Sequence, residues 1–247
     1  AGLERDALEL DIRSVLGTAW MALRGWPAQE VPDALEPARQ LARTLRRGDQ
    51  MLSISFGLWA NVLVRGRIAD SLALAHEAID EAVESGDDGL LIVAHMEAMV
   101  SEFWLGRFTA ANSHGQEILA RYDRDAHRHV VMRTNFDPKT AYGLYASHWV
   151  WMLGFPDRAA CICDEKDEHA RSLGHAFNLG FALTTGVQVF EYRGEPDRAL
   201  ARVEEAERIG REGSIPFVSE VLAQMMRGMA YLRAGRWRES VDQIEHG

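Results

Sequence analysis

The sequence contains few lysines, few cysteines and a deficit of positive charge. Only Lys139 and Lys166 are lysines among its 27 basic residues, and 37 acidic residues give a net charge of −10. A surface of this sign repels a phosphate backbone, so we expect no direct binding of nucleic acid. Cys161 and Cys163 are two residues apart and cannot form a disulfide framework, which fits a reducing compartment.

Long apolar runs and an export signal are also missing. The charge-free stretches at residues 140–156 and 174–190 contain polar side chains and are too short to span a bilayer. The first ten residues lack the basic and apolar regions of a signal peptide. Together with a composition of 47% apolar and 26% charged residues, these features predict a folded cytoplasmic protein that does not enter the membrane. Because the chain does not begin with Met and its last helical pattern is short, we expect a fragment of a larger multidomain protein.

A repeat of about forty residues organises the chain. Each repeat has an apolar stretch, a glycine and a charged amphipathic stretch, which indicates a helix A, a tight turn and a helix B. The glycine is expected to end helix A with a positive φ. The six glycines that mark the repeat are Gly25, Gly66, Gly106, Gly154, Gly194 and Gly235.

A small residue follows five positions after each of the last five glycines. Two antiparallel helices can approach closely only where the crossing point carries little bulk, so we expect these residues at the contact between helices A and B. They are Ser71, Ala111, Ala159, Ala199 and Ser240.

The pattern predicts an all-α protein, a TPR-like right-handed superhelix of about six antiparallel hairpins in a single domain, residues 1–247. The glycine turn with a small residue at a fixed offset favours a TPR-like array over a HEAT-type array, although the period is longer than that of a usual TPR. The twelve predicted helices are Leu3–Arg24, Pro32–Arg47, Gln50–Val64, Ile68–Ser85, Asp88–Leu105, Phe108–Tyr122, Pro138–Leu153, Pro156–Leu173, Ala176–Tyr192, Pro196–Glu212, Pro216–Ala234 and Trp237–Glu245.

The spacing from Gly106 to Gly154 is longer than the others and places an insert between Asp123 and Lys139. It contains His127, Arg128, His129 and Arg133, the densest positive charge in the chain. We interpret it as a surface loop that joins two hairpins. A contact for an acidic partner surface is the alternative.

The chain resembles the TPR-like helical region C-terminal to the ATPase module in bacterial proteins that join a class III nucleotide cyclase, an AAA/STAND-type ATPase and helical repeats. The resemblance covers nearly the whole chain in order. It rests on LELDIRSVLGTAWMALRGWPAQEV, FGLWANVLVRGRIADSLALAHE, AHMEAMVSEFWLGRFTAANSHGQEILARYD with a following HRH, HWVWMLGFPDRA, and ARSLGHAFNLGFAL.

This resemblance implies a non-catalytic regulatory or protein-interaction region of a signalling ATPase. LuxR-type and MalT-type regulators carry related arrays, so a small-molecule-sensing repeat domain is the alternative function. Its ligand would lie among Trp104, His148, Trp151 and Tyr192. No GxxxxGK[ST] motif occurs, so a nucleotide-binding module would lie outside this segment.

If the TPR register applies, the A helices line a concave groove that is mostly apolar. Such a surface is typical of an interface, and we expect it to bind an apolar segment from another domain of the parent protein or from a second copy. The alternative is that tight winding buries these residues against one another. The candidate partner-binding residues are Phe56, Met96, Trp104, His148, Trp151, Gln188, Tyr192 and Arg233.

No pattern of catalytic or metal-binding residues is found, so we expect no enzyme activity and no cofactor or metal. No His-x3-His spacing occurs, and the histidines that fall in different repeat units are interpreted as surface or groove residues; they are His76, His95, His114, His148 and His175. The acidic run around Asp164 and Asp167 is interpreted as a solvated helix face. The cysteines are two apart on a helix and point in different directions, so we interpret them as structural thiols.

Overall fold

The computed structural model describes residues 2–246, and all regular structure in that part of the chain is helical. The helices gather into two compact units, Ala1–Thr134 (unit 1) and Asn135–Gly247 (unit 2). The all-α prediction is therefore confirmed. The single domain, the right-handed superhelix and the count of six hairpins stay predictions.

Unit 1 contains seven α-helices in its described part. They are α1 (Gly2–Arg24), α2 (Glu30–Leu45), α3 (Gly48–Val64), α4 (Ile68–Ser85), α5 (Asp88–Trp104), α6 (Phe108–Arg121) and α7 (Arg128–Thr134). Consecutive helices from α1 to α6 pack together, and α3 also contacts α1 and α5. The A helices α1, α3 and α5 thus form one layer of this unit.

Unit 2 contains six α-helices among the described residues. They are α8 (Pro138–Met152), α9 (Pro156–Leu173), α10 (Ala176–Tyr192), α11 (Pro196–Glu212), α12 (Ala223–Arg233) and α13 (Trp237–His246), and a π-helical turn, Phe217–Leu222, leads directly into α12. Here α10 contacts both α8 and α12. The A helices α8, α10 and α12 form the layer of this unit.

The glycine turns have the predicted geometry. All six glycines have positive φ, between 73° and 91°. In the five turns from Gly66 to Gly235, the N–H of the residue after the glycine donates to a carbonyl five residues earlier, at 2.9–3.2 Å. This bond, together with that from the glycine N–H to the residue three earlier, is the Schellman arrangement that satisfies the last carbonyls of a helix.

The small residues after these glycines are buried. Ser71, Ala111, Ala159 and Ala199 are 0% exposed, and Ser240 is 1% exposed. Each donates its backbone N–H to the residue just after the glycine, which places it in the first turn of helix B. The prediction that these residues lie at a close contact is confirmed.

Two segments differ from the predicted helix map. The insert was expected to be a surface loop, but it contains α7, because Val130, Val131 and Thr134 are buried in unit 1. The segment predicted as one helix, Pro216–Ala234, begins with the π-helical turn before α12. No helix among residues 2–246 combines the length and apolar character needed to cross a bilayer.

A substitution at the small position tests this packing. Replacing Ala199 by Leu forces a larger side chain into a closed contact, and we expect a loss of about 1–3 kcal/mol in the free energy of unfolding. Urea denaturation measures it. Ala201→Leu on the exposed side of α11 is the matched control and should change stability little. Equal losses for the two variants would contradict the close-contact role of Ala199.

Candidate functional site

In unit 1, the three predicted partner-binding residues have different environments. Phe56 on α3 and Met96 on α5 are buried, at 6% and 2% exposed. The Phe56 ring contacts Trp26 edge-on, with ring centroids 6.3 Å apart. Trp104, at the end of α5, is 59% exposed. Phe56 and Met96 thus lie in the interior, as the alternative of a filled groove predicts, and their role as partner contacts stays a prediction.

In unit 2, predicted residues from successive A helices meet in pairs. His148 Nε2 on α8 lies 3.1 Å from Gln188 Oε1 on α10. The rings of Trp151 on α8 and Tyr192 on α10 have centroids 4.6 Å apart. Arg233 is exposed at the end of α12. We call His148, Trp151, Gln188, Tyr192 and Arg233 the A-layer face of unit 2.

The protonation of His148 follows from its neighbours. Its Nδ1 lies 2.8 Å from the Leu144 carbonyl oxygen, which can only accept, so Nδ1 carries the proton. Burial lowers the pKa of His148, an effect that the bonds to Leu144 and Gln188 oppose and the charge of Lys166 reinforces. The lowered pKa favours the neutral ring with its proton on Nδ1.

Glu191 lies beside Tyr192 and is 4% exposed. Its Oε1 atom is buried and makes no hydrogen bond. Burial raises the pKa of Glu191 to about 7, although the charge of Arg233 acts in the opposite direction. A carboxyl group next to the A-layer face thus gains and loses its proton near neutral pH.

A buried ion network lies beneath this face, between α9, α10 and α11. Lys166 Nζ lies 2.8 Å from Asp167 Oδ1, and these side chains are 0% and 2% exposed. Lys166 also donates to the Ala182 carbonyl at 2.5 Å, and Arg202 Nε donates to Asp167 Oδ2 at 3.0 Å. Gly186 leaves room for the network, because a Cβ atom there would lie 3.0 Å from Lys166 Nζ.

These buried charges were not predicted from the sequence. Asp167 was expected on a solvated face, but it is 1% exposed, so that interpretation is wrong for this residue. The burial of Asp167 could have been predicted from helical spacing, because it shares one side of α9 with Ala159, Cys163 and Ala170, which are all buried. Cys163 is buried and Cys161 exposed, as their spacing predicts.

Unit 1 contains a buried acid of the same kind on α5. Glu97 is 0% exposed, and Ser55 Oγ donates to its Oε2 at 3.4 Å. Burial raises the pKa of Glu97 well above its ordinary value, which this hydrogen bond opposes only in part. A carboxyl group in the largely apolar run of residues 90–100 was the sequence signal that could have revealed it.

These arrangements bring hydrogen-bonding and ionisable side chains together in both units. The chain matches no protein-family model and no curated protein. The resemblance to the helical regions of signalling ATPases therefore rests on the sequence segments quoted above.

Glu191 gives a pH-dependence that can be measured. Below pH 4.5 the Glu191 carboxyl group is protonated in both the folded and the unfolded state. From pH 4.5 to about 7 it keeps its proton only in the folded state. The free energy of unfolding should therefore fall with rising pH in this window, by at most about 1.4 kcal/mol per pH unit. Urea titrations of Glu191→Gln should lack this contribution to the slope.

Glu204→Gln on α11 is the control for this measurement, because Glu204 is exposed. This control should keep the pH profile of the unmodified chain. If Glu191→Gln has the same slope as the control, Glu191 does not retain its proton in the folded state.

Proposed function

We propose that this chain is a non-catalytic, TPR-like protein-interaction and regulatory module of a bacterial signalling ATPase or nucleotide cyclase. The support is the repeat itself. Its glycine turns have positive φ and a small residue five positions later, and the equivalent residues His148 and Gln188 of two A helices meet in unit 2. A cytoplasmic location belongs to this proposal. The partner is a protein helix, supplied by another domain of the parent protein or by a second copy.

The observation that carries the proposal is an exposed apolar stripe on the last A helix. At positions four or seven residues apart, Phe217, Val221, Met225 and Leu232 are 38–44% exposed. These spacings place them along one face of the segment that contains α12. A large apolar face of this kind is typical of a surface that another helix covers.

We infer that the helix that covers it is α1 of a second copy. This helix carries its own exposed apolar residues, of which Leu8, Ile12 and Val15 are 60%, 50% and 69% exposed. The first half of α1, residues 2–13, has four carboxylates and two arginines, whereas exposed Arg233 lies at the end of α12. Apolar faces with opposite flanking charges are complementary.

Sedimentation equilibrium tests this interaction. We expect the chain to self-associate reversibly in the micromolar range, and more weakly at high salt. Met225→Glu with Leu232→Glu, and separately Ile12→Glu with Val15→Glu, should each give a monomer, because each places charge on one of the two stripes.

The control carries the same number of new charges elsewhere. Val83→Glu with Met132→Glu alters residues that are 65% and 69% exposed outside both stripes, and should self-associate like the unmodified chain. A monomer at all concentrations, or equal association of all variants, would contradict the proposed second-copy contact.

A second candidate function is the sensing of a small molecule, as in MalT-type and LuxR-type regulators. It is favoured by an open cavity of about 520 Å³ in unit 1, which is not lined by the residues predicted from the sequence for this function, Trp104, His148, Trp151 and Tyr192. Val15 and Ala19 of α1 form apolar walls, Gln50 and Ser53 come from α3, and Arg133 comes from α7. Apolar walls with a few polar groups suit a small molecule with an apolar body and an anionic group.

A thermal-shift screen with sugars and carboxylated metabolites tests this second function. A ligand of the folded state raises the melting temperature, and Arg133→Ala should abolish the shift if an anionic group binds there. Arg128→Ala on the same helix α7 is the matched control and should keep it. If no compound shifts the melting temperature, or the shift survives Arg133→Ala, this cavity is not the sensing site.

A further inference from the structure

Three histidines from successive helices form a cluster in unit 1. His76 lies on α4, His95 on α5 and His114 on α6, and they are equally spaced in the sequence. The ring centroids of His95 and His114 are 5.3 Å apart, and those of His76 and His114 are 6.2 Å apart. The sequence shows no metal-binding spacing at these residues, because they lie on three different helices and come together only in the folded unit.

The two inner imidazoles present the same ring nitrogen to each other. His95 Nδ1 and His114 Nδ1 are 3.0 Å apart. Zinc bound to histidine has Zn–N distances of about 2.0–2.1 Å, and two ligands of a tetrahedral ion are then about 3.3–3.4 Å apart. The nitrogens therefore need to separate by only a few tenths of an ångström to bind one ion.

Further ligands lie at the exposed side of this pair. As the side chains stand, no three histidine, cysteine or carboxylate groups among residues 2–246 are arranged around one ion. His76 is exposed, however, so its ring can turn about the Cα–Cβ bond towards His114. Glu117, also exposed, lies one turn after His114 on α6 and interacts electrostatically with both inner histidines.

We propose that His76, His95 and His114 form a binding site for a divalent transition metal ion such as Zn²⁺. Imidazole nitrogens suit Zn²⁺, Cu²⁺ and Ni²⁺, whereas Mg²⁺ and Ca²⁺ prefer oxygen ligands. The Nδ1 atoms of His95 and His114 are the first two ligands, and the turned His76 ring is the third. An ion held in this way joins α4, α5 and α6, and so stabilises the folded state of unit 1.

Isothermal titration calorimetry of the full chain with ZnCl₂ tests the site. We expect one equivalent of Zn²⁺ to bind and none of Mg²⁺. His95→Gln and His114→Gln should each weaken Zn²⁺ binding at least about tenfold, and His76→Gln should also weaken it. Zn²⁺ should raise the melting temperature of the unmodified chain more than that of these variants.

His129→Gln on α7 is the matched control, because His129 is an exposed histidine of the same unit outside the cluster. It should bind Zn²⁺ like the unmodified chain. His76→Gln changes only an exposed side chain, so it keeps the test interpretable if an inner variant fails to fold. Absence of Zn²⁺ binding, binding unchanged by all three cluster variants, or a loss only in His129→Gln would overturn the proposal.

Discussion

The structure depends on one local constraint, the left-handed glycine turn followed by a small residue. The glycine accepts a positive φ without a clash of Cβ, which lets the turn bond back to the preceding helix. The small residue then lies where helix B starts against helix A, and its burial shows how close the two helices are. Because this turn fixes where each B helix starts, it also fixes which residues of neighbouring A helices face each other.

The same constraint explains how much of the fold could be predicted. The predicted bounds of α4, α9, α10 and α11 are the observed ones, because glycine or proline lies at or near their ends. The short helix α7 could not be predicted in this way. Seven residues are too few for a clear periodic signal, and its helical state accompanies the burial of Val130 and Val131, which depends on the tertiary structure.

The sequence predicts which residues of neighbouring A helices come together in the candidate site, but not whether they are exposed. His148 and Gln188 each lie six residues before the glycine of their repeat, so the repeat brings them to equivalent positions. Trp151 and Tyr192 lie three and two residues before theirs, which places them within one position of equivalence. Whether such a position is open depends on the neighbouring helices, which a single sequence does not describe. Phe56 is therefore buried, although it belongs to the same predicted groove as the exposed Trp104.

Buried charged residues are the feature that the pattern of apolar and polar residues in the sequence predicts least well. The run that contains Lys166 and Asp167 resembles a solvated face, yet both side chains are enclosed and paired with each other. An isolated ion there would be destabilised by several kcal/mol, so Lys166, Asp167 and Arg202 are stable only when α9, α10 and α11 keep one register. Apolar side chains of similar volume would fill the same space equally well, so the network adds little to the overall stability of the fold. In our interpretation its main effect is to stabilise this one register of α9, α10 and α11 against others.

The exposed large apolar side chains of the A helices lie mainly on α1 and α12. Both α3 and α10 lie between two other A helices. Only one large apolar side chain of these two helices is exposed, that of Val64 at the end of α3. By contrast, α1 and α12 each contact one A helix of their own unit and carry exposed apolar stripes. An A helix that packs between other helices is apolar on several faces, because each of these faces is buried against a neighbouring helix. In the proposed self-association, the stripes on α1 and α12 are packing surfaces of this kind, and a helix of a second copy covers them.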